Sequence, residues 1–447
     1  MNPLSPFHEQ GKLFQLYTQN ELSIEDYIQA NLSIRDFEKN KYGEVFTPYS
    51  YICDLLNKLP SAIWSNPELR WLEPASGIGH FCIVIYIRLM DGLSRVFPDQ
   101  GARHEHIIRN MIFMVEINED NVARMREIFG PLANIECADF LAQDTCSMNK
   151  QKQGYDVIIG NPPFQTPRDS ARNSSKGGQI LWDKFILKSL ELLSYKSTYT
   201  ERFLCFITPP LWRKPNSPHG LWGRMTSDPC SLQYIHMIDK KTAIRDLQVQ
   251  QRMDLFIVKV GGNVGCDDNG KCKIITSPAD GGTLNIVSPR DWPFLPNSEF
   301  TFIRTIIDHI ADPKRVIYDR SSYGSDLPHM SPEYRAGEFI YPVVHTMTRK
   351  GLGLWYSNTN TRGHFGVVKV ILNFNEKLYP YLDLSGDYGM GQFSFGLPVS
   401  SAEEGNAMMR ALVSPQFQAM IKATKWGAYQ TDRRMFEYFK PGWWYNK

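Results

Sequence analysis

The residues best suited to chemistry in this 447-residue sequence lie in one rigid turn, Asn161-Pro162-Pro163-Phe164. The two prolines fix φ and have no amide hydrogens, so the Asn161 side-chain oxygen and the Pro162 carbonyl can present two acceptors in a set geometry. An amino group on a planar ring donates two hydrogen bonds, and these acceptors would orient it for attack on an electrophile. Phe164 could stack on the same ring. The alternative is a turn that only ends a strand, with Phe164 in the core.

The turn is positioned by a strand, because the apolar run 155–160 leads directly into it. From about residue 41 to residue 262, such runs alternate with helical patterns. This alternation favours an α/β fold with a mainly parallel sheet and helices on both faces. The other predicted strands are 71–72, 111–116, 134–137, 203–208 and 255–260.

A glycine-rich turn follows the first predicted strand and reads Glu73-Pro74-Ala75-Ser76-Gly77-Ile78-Gly79-His80-Phe81. Gly77 and Gly79 allow the backbone to turn tightly and to approach a ligand, whose carboxylate can lie near the amides at the helix start. Such a turn is weak evidence alone, because many only pack a helix against a sheet.

Acidic residues at the ends of the next two strands strengthen the prediction of a nucleoside site. Glu116 is placed to accept hydrogen bonds from ribose hydroxyls, and Asp139 could accept from an adenine amino group. Ile117 and Phe140 would lie against the faces of the ring. Each acid could instead cap the helix that follows it.

Together these motifs resemble the cofactor site of class I S-adenosylmethionine-dependent methyltransferases. Upstream, Gly43-Glu44-Val45-Phe46-Thr47-Pro48 resembles the G-x-x-F-T-P motif of adenine-specific (N6) DNA methyltransferases, including type I modification subunits and the TaqI-like enzymes. The C-terminal segment 426–436 resembles that of Eco57I-type modification enzymes. The resemblance implies that this segment closes over the cofactor, with Thr47 at its amino-acid end. The alternative is a helix start with Pro48 in the first turn. The implied cofactor contacts are Phe46, Thr47, Pro48, Glu73, Pro74, Ala75, Gly77, Gly79, Phe81, Glu116, Ile117, Asp139 and Phe140.

The resemblance implies a Rossmann-like, seven-stranded, mainly parallel sheet and a C-terminal α+β target-recognition domain. It implies transfer of a methyl group from S-adenosylmethionine to the N6 amine of an adenine in a specific DNA sequence, with residues 161–164 as the catalytic loop. That amine lies inside the duplex, so the adenine must flip out. Three alternatives stay open: an RNA methyltransferase acting on an adenine or guanine amine, a protein-glutamine methyltransferase, and a non-catalytic nucleic-acid-binding protein.

Composition divides the chain into four predicted regions. They are a helical arm at 1–40, a catalytic domain at 41–262, a hairpin or linker at 263–299 around Asp267-Asp268-Asn269-Gly270, and a DNA target-recognition domain at 300–447. In the last region we predict helices at 300–311 and 401–412, strands at 339–347 and 365–373, and a turn segment at 385–396.

Double-stranded DNA is the expected partner, with a separate restriction endonuclease as a further one. The net charge of +2 gives little indication, but residues 341–447 contain 12 Lys and Arg against 7 Asp and Glu. That excess fits a surface that meets phosphates, or an ordinary solvated face. The candidate DNA contacts are Arg168, Arg172, Lys176, Trp212 and Arg362. The first three lie in a Ser/Gly-rich segment that could equally be a disordered insertion.

Several classes of protein are disfavoured by the sequence. No run of 18 apolar residues and no signal-peptide pattern is present, so we expect neither secretion nor membrane spanning. The eight cysteines are scattered without a CxxC pair, which indicates reduced thiols. His104-Glu105-His106 lacks HExxH spacing and is interpreted as a solvated turn, so we expect no metal. We expect a cytoplasmic monomer of bacterial or viral origin, with a nuclear location as the alternative.

Overall fold

A nine-stranded sheet forms the centre of the first of two units in the computed structural model of this protein. The first unit comprises the described residues up to Trp212 together with Arg224–Pro289, and the second comprises Arg213–Gly223 and the described residues from Arg290 onward. The structure describes residues 11–19, 26–28, 47–145, 154–166, 178–194, 201–215, 219–261, 270–427 and 431–445.

The strands of the first unit are β1 (Trp71–Glu73), β2 (Ile112–Glu116), β3 (Asn134–Cys137), β4 (Val157–Gly160), β5 (Arg202–Thr208), β6 (Cys230–Ile238), β7 (Met253–Val260), β8 (Cys272–Ile275) and β9 (Leu284–Val287). Their order in the sheet is β3-β2-β1-β4-β5-β7-β6-β8-β9. Strands β1 to β5 pair in parallel, whereas β7 runs antiparallel to both of its neighbours. The predicted α/β class with a mainly parallel sheet is confirmed.

The predicted count of seven strands is wrong, because the region 263–299, predicted as a hairpin or linker, adds a hairpin to the sheet. It supplies β8 and β9, which pair with each other in antiparallel fashion. A hairpin back onto β7 cannot form, since β7 already has β5 on one edge and β6 on the other. Strand β8 therefore pairs in parallel with β6. The first unit extends to Pro289 rather than ending at 262.

The helices of the first unit include α1 (Gly11–Gln19), α2 (Tyr49–Leu56), α3 (His80–Gly92), α4 (Gln100–His106), α5 (Glu119–Phe129), α6 (Trp182–Leu193), α7 (Trp222–Thr226, which begins in the second unit) and α8 (Lys240–Leu247). Helix α3 is almost entirely buried, as its apolar sequence requires. Helix α1 packs against α5, where Gly11 lies against the backbone of Gly130 and Lys12 pairs with Glu127 at 3.3 Å. The described part of the predicted N-terminal arm is therefore helical and belongs to the first unit.

The histidine pair set aside as a solvated turn lies at the end of α4. His104 is buried, and its Nδ1 lies 2.9 Å from the hydroxyl of Tyr86. Burial lowers the pKa of His104 to about 4, so the ring is neutral at pH 7. The interpretation as a solvated turn was wrong, because helical spacing points one of the two imidazoles into the core. Among the described residues, no cluster of three metal-ligating side chains occurs.

The second unit has α+β character. Its strands are β10 (Met330–Ser331), β11 (Tyr341–Thr348), β12 (Gly351–Ser357), β13 (Lys369–Asn373), β14 (Tyr381–Asp383), β15 (Gly389–Met390) and β16 (Ser394–Pro398). They form two sheets of order β10-β12-β11-β15 and β14-β13-β16. Its helices include α9 (Phe300–Ile306), α10 (Arg320–Tyr323), α11 (Ala402–Val413) and α12 (Pro415–Ala423).

Two details of the second unit differ from prediction. Helix α9 ends five residues before the predicted end at 311, and the predicted turn segment 385–396 contributes β15 and the start of β16. Across the described ranges, no helix is both long enough and apolar enough to cross a bilayer.

Candidate active site

The turn after β4 presents an unused hydrogen-bond acceptor. Asn161 is half-buried, and its Nδ2 donates to Thr47 Oγ1 at 3.1 Å. Its Oδ1 is buried and has no hydrogen-bond partner among the described residues. Because a buried acceptor without a partner costs free energy, this oxygen is suited to receive a donor from a ligand. The Thr47 hydroxyl fixes the orientation of the side-chain amide group to which this oxygen belongs.

Thr47 is itself firmly placed at the entrance to α2. Its side chain is buried, and Pro48 caps the helix with an extended ψ of 143°. Helix α2 is held by the Tyr51 hydroxyl, which donates to Asp246 at 2.7 Å, and by Asp54, which accepts from Tyr234 at 2.9 Å. A residue 114 positions earlier in the chain thereby orients the Asn161 amide.

Glu73 contributes a second unpartnered acceptor at the end of β1. Its carboxyl group is buried beside Cys82, and its Oε2 has no hydrogen-bond partner within the described part of the chain. A Cβ added to Gly160, the residue before Asn161, would lie 3.5 Å from Glu73 Cγ. Desolvation raises the pKa of Glu73 to about 8, although contact with Cys82 opposes the rise. This carboxyl group is therefore protonated at pH 7.

Glu116, at the end of β2, accepts hydrogen bonds from the loop after β1 and from the loop after β2. Its Oε2 accepts from the Gly77 amide at 2.7 Å, and its Oε1 accepts from the Asn118 amide at 2.8 Å. These bonds fix the position of the carboxylate. Glu116 does not cap the helix that follows it. The cap is Asn118, whose side-chain oxygen accepts from the Asp120 amide at the start of α5.

The two glycines of the first turn have different surroundings. Gly77 has φ +54°, and a Cβ built on it would meet no heavy atom within 4 Å. Gly79 has φ +86°, and its Cβ would lie 2.9 Å from the Phe129 ring. Gly77 therefore borders open space, whereas Gly79 allows α3 to pack against α5.

The remaining predicted cofactor residues divide by exposure. Asp139 is exposed and accepts from the Leu141 amide at 2.9 Å, Ile117 is 54% exposed, and Pro48 and Ala75 are half-buried. Pro74 and Phe81 are buried beneath the turn.

The prediction that Phe140 covers a ligand ring is not supported by its position. Its side chain is 2% exposed, it stacks on Phe185 at 5.2 Å, and Lys188 Nζ lies 4.9 Å from the ring centroid. An aromatic residue after a strand can point either way, and this one points into the core.

The candidate DNA contacts differ in their exposure. Trp212 is fully buried against Phe256, with ring centroids 4.8 Å apart, so it cannot contact DNA as predicted. Arg362 is exposed in the second unit. Arg168, Arg172, Lys176 and Phe46 lie outside the described residues.

Phe164, the last residue of the turn, is half-buried and packs against the core of the first unit. Its carbonyl accepts from the Leu181 amide at 3.0 Å, and the Thr166 amide donates to the Gln179 carbonyl at 2.8 Å. These bonds join the two ends of the segment that contains the three basic residues. Pro162 is buried and Pro163 half-buried, as expected for a rigid turn.

Comparison with known proteins gives one family match. Residues 98–242 match the model of the Eco57I restriction-modification methylase family. The resemblance predicted from the sequence is confirmed. A curated relative, an uncharacterized adenine-specific methylase of Mycoplasma pneumoniae, is 25% identical over 38% of this chain and 55% of its own length. The chain thus spans about half the length of that relative.

Solved structures give weaker likenesses. The type IIL restriction-modification enzyme MmeI in complex with DNA covers 90% of this chain and 69% of its own, with a TM-score of 0.49 and 12% identity. A modification subunit of a putative type I restriction enzyme from Vibrio vulnificus covers 60% and 52%, with a TM-score of 0.39 and 14% identity.

Proposed function

We propose that this chain transfers a methyl group from S-adenosylmethionine to the N6 amine of adenine in DNA. The observation that carries the proposal is the buried, unpartnered Asn161 Oδ1, held in place through Thr47. The match to the Eco57I methylase family and the name of the Mycoplasma relative support the substrate class.

The residues present fit the proposed cofactor. Glu116 holds a fixed carboxylate at the end of β2 that would accept from the ribose hydroxyls, and Asp139 offers an exposed carboxylate to the adenine amine. Exposed Ile117 would lie against the adenine ring. The unpartnered Glu73 Oε2 is suited to an ammonium group, and the open space at Gly77 leaves room for the ligand. When bound, S-adenosylmethionine would supply an electrophilic methyl group on a positively charged sulfur.

The turn would act by orientation and electrostatics. Asn161 Oδ1 and the Pro162 carbonyl would accept the two hydrogens of the adenine amine, which directs its lone pair out of the ring plane. Transfer would form the bond between the amine nitrogen and the methyl carbon and break the bond from that carbon to sulfur, which would leave as a neutral thioether. The positive charge would then lie on the nitrogen, and both oxygens would stabilise it. The proton can leave to water after transfer, so no general base is needed. Phe164 would stack on the flipped adenine.

The second unit would serve target recognition, since base reading requires groups beyond the methyl-transfer site. We propose that Arg362 and the basic side chains of this unit meet DNA. A separate restriction endonuclease is proposed as a further partner.

A pair of glycine substitutions separates ligand contact from packing. Both glycines have positive φ, so alanine strains either position by roughly 1–2 kcal/mol. We expect Gly79→Ala to lose about a further 1–3 kcal/mol of unfolding free energy through contact with Phe129. Gly77→Ala should have a higher unfolding free energy than Gly79→Ala. It should bind the cofactor more weakly than the native protein does. Urea denaturation and calorimetric titration with S-adenosylmethionine would measure both effects. Equal stability of the two variants would contradict this difference in surroundings.

The methylated product of the reaction would identify which class of substrate the protein acts on. We expect purified protein with tritiated S-adenosylmethionine to label duplex DNA of mixed sequence, and chromatography of the digested nucleosides to show N6-methyladenine. RNA of the same sequence and a glutamine-containing protein mixture serve as parallel substrates. Labelling of either one without labelling of DNA would replace DNA adenine by the corresponding alternative.

A further inference from the structure

The second unit contains a cavity of about 220 Å³ that none of the proposed methyl-transfer residues line. Its wall includes Lys314 and Arg315 of a short helical turn, the buried side chains of Leu397, Met408 and Phe436, and Trp443 and Trp444 of a second short turn. Pockets for drug-sized ligands begin near ~300 Å³, so this cavity suits a smaller group.

Two donors in the cavity wall are unused. Arg315 Nη1 and Trp444 Nε1 are both buried, and neither has a hydrogen-bond partner within the described ranges. The Arg315 guanidinium is partly engaged, because its Nε lies 3.4 Å from Asp312 Oδ2. Guanidinium and indole nitrogens can only donate hydrogen bonds. A group that satisfies these two nitrogens must therefore supply hydrogen-bond acceptors.

The charge of the lining favours an anion. Lys314, Arg315 and Lys440 provide three cations, whereas Asp312 provides one carboxylate and is already close to Arg315. Arginine presents its nitrogens in a planar fork that matches phosphate and carboxylate oxygens. Donors from several separate side chains fit the tetrahedral array of oxygens around a phosphorus atom better than the two coplanar oxygens of a carboxylate.

Aromatic rings form part of the same wall. Trp443 is buried and stacks on Phe417 with ring centroids 4.9 Å apart, and the rings of Trp443 and Trp444 form a T-shaped pair with centroids 5.6 Å apart. Aromatic surfaces next to cationic donors are typical of sites that bind nucleotides. We propose that this cavity binds a phosphoryl group, presented either by a free nucleotide or by a nucleic-acid backbone.

Calorimetric titration of the full chain with thymidine 5′-monophosphate tests the first source. This probe lacks adenine and so does not imitate the adenosine of the cofactor. We expect one binding event, with Arg315→Gln weakening it by about tenfold or more and Trp444→Phe by a smaller factor. Unphosphorylated thymidine should not bind. Arg304→Gln is the matched control, because Arg304 also pairs with an aspartate, Asp291, but does not line the cavity.

Salt dependence of duplex binding tests the second source. If the phosphoryl group belongs to the backbone, Arg315→Gln should reduce the slope of log affinity against log salt by about 0.9, and Arg304→Gln should not. Arg315→Lys, which retains the charge but loses the fork, gives an intermediate loss in either assay and replaces Arg315→Gln if that variant fails to fold. Unchanged nucleotide affinity together with an unchanged salt slope would overturn the proposal, whatever the methylation assay shows.

Discussion

Asn161→Ala is expected to lower the rate of methyl transfer by about 100-fold to 1000-fold while cofactor binding survives. The substitution removes the unpartnered Oδ1 that would accept from the adenine amine. Loss of one preplaced group that stabilises developing charge typically lowers kcat by about 100-fold to 1000-fold. Glu73, Gly77 and Glu116 remain, so affinity for S-adenosylmethionine should change little. The measurements are single-turnover methylation of a duplex and calorimetric titration of the cofactor.

Two further variants sharpen that result. Asn57→Ala is the matched control, because Asn57 is an exposed asparagine of the same unit that accepts from Arg88. Thr47→Val keeps the Asn161 oxygen but removes the hydroxyl that holds its amide, so we expect an intermediate loss of kcat. If Asn161→Ala methylates adenine at the rate of Asn57→Ala, the proposed role of the turn is wrong.

The parts of the fold that the sequence predicts best are its buried parallel strands. Val157–Gly160 is buried at every position and reads as a continuous apolar run, which fixes β4 and the turn after it. Strand β6 was not predicted, because Ser231, Gln233 and His236 interrupt its apolar pattern. Strands β8 and β9 are short, and their partners are set by the free edge of β6, which no local pattern encodes.

The candidate site shows the same division between local and distant information. The motifs around Glu73 and Asn161 were found because chemistry constrains short segments. The bond between Asn161 and Thr47 spans 114 positions, and only the folded chain reveals it. Phe140 and Trp212 were misplaced because a motif gives the residue type but not the direction of the side chain. The donors of Arg315 and Trp444 carry no sequence signal.

Glu73→Gln is expected to remove a proton linkage from cofactor binding. Desolvation raises the pKa of Glu73 from 4.5 to about 8, so the carboxyl group is neutral between pH 5.5 and 7. The amino group of a bound amino-acid moiety is charged in that range, since α-amino groups titrate near ~7.8. Pairing the two requires Glu73 to release its proton. Affinity should therefore rise about tenfold per pH unit up to pH 7 in the native protein.

The same shift predicts the sign of a stability change. The folded chain keeps a proton on Glu73 that the unfolded chain has released, so this contribution is complete below pH 4.5 and is lost as the pH rises through about 8. Glu73→Gln has no such loss and should exceed the native protein in unfolding free energy at pH 8, by roughly 3–5 kcal/mol at most. Glu68 is an exposed glutamate of the same unit. Glu68→Gln should therefore leave the pH dependence of cofactor affinity and the unfolding free energy unchanged.

Calorimetry of cofactor binding at pH 6.5, in buffers of different ionisation enthalpy, distinguishes this mechanism from simple loss of a contact. The native protein and Glu68→Gln should release about one proton on binding, and Glu73→Gln should release none. The affinity of Glu73→Gln for S-adenosylmethionine at pH 7 should be about tenfold to a hundredfold weaker than that of the native protein, because a charged acceptor is lost. Proton release that persists in Glu73→Gln would mean that another group titrates, and Glu73 would then have only a structural role at the end of β1.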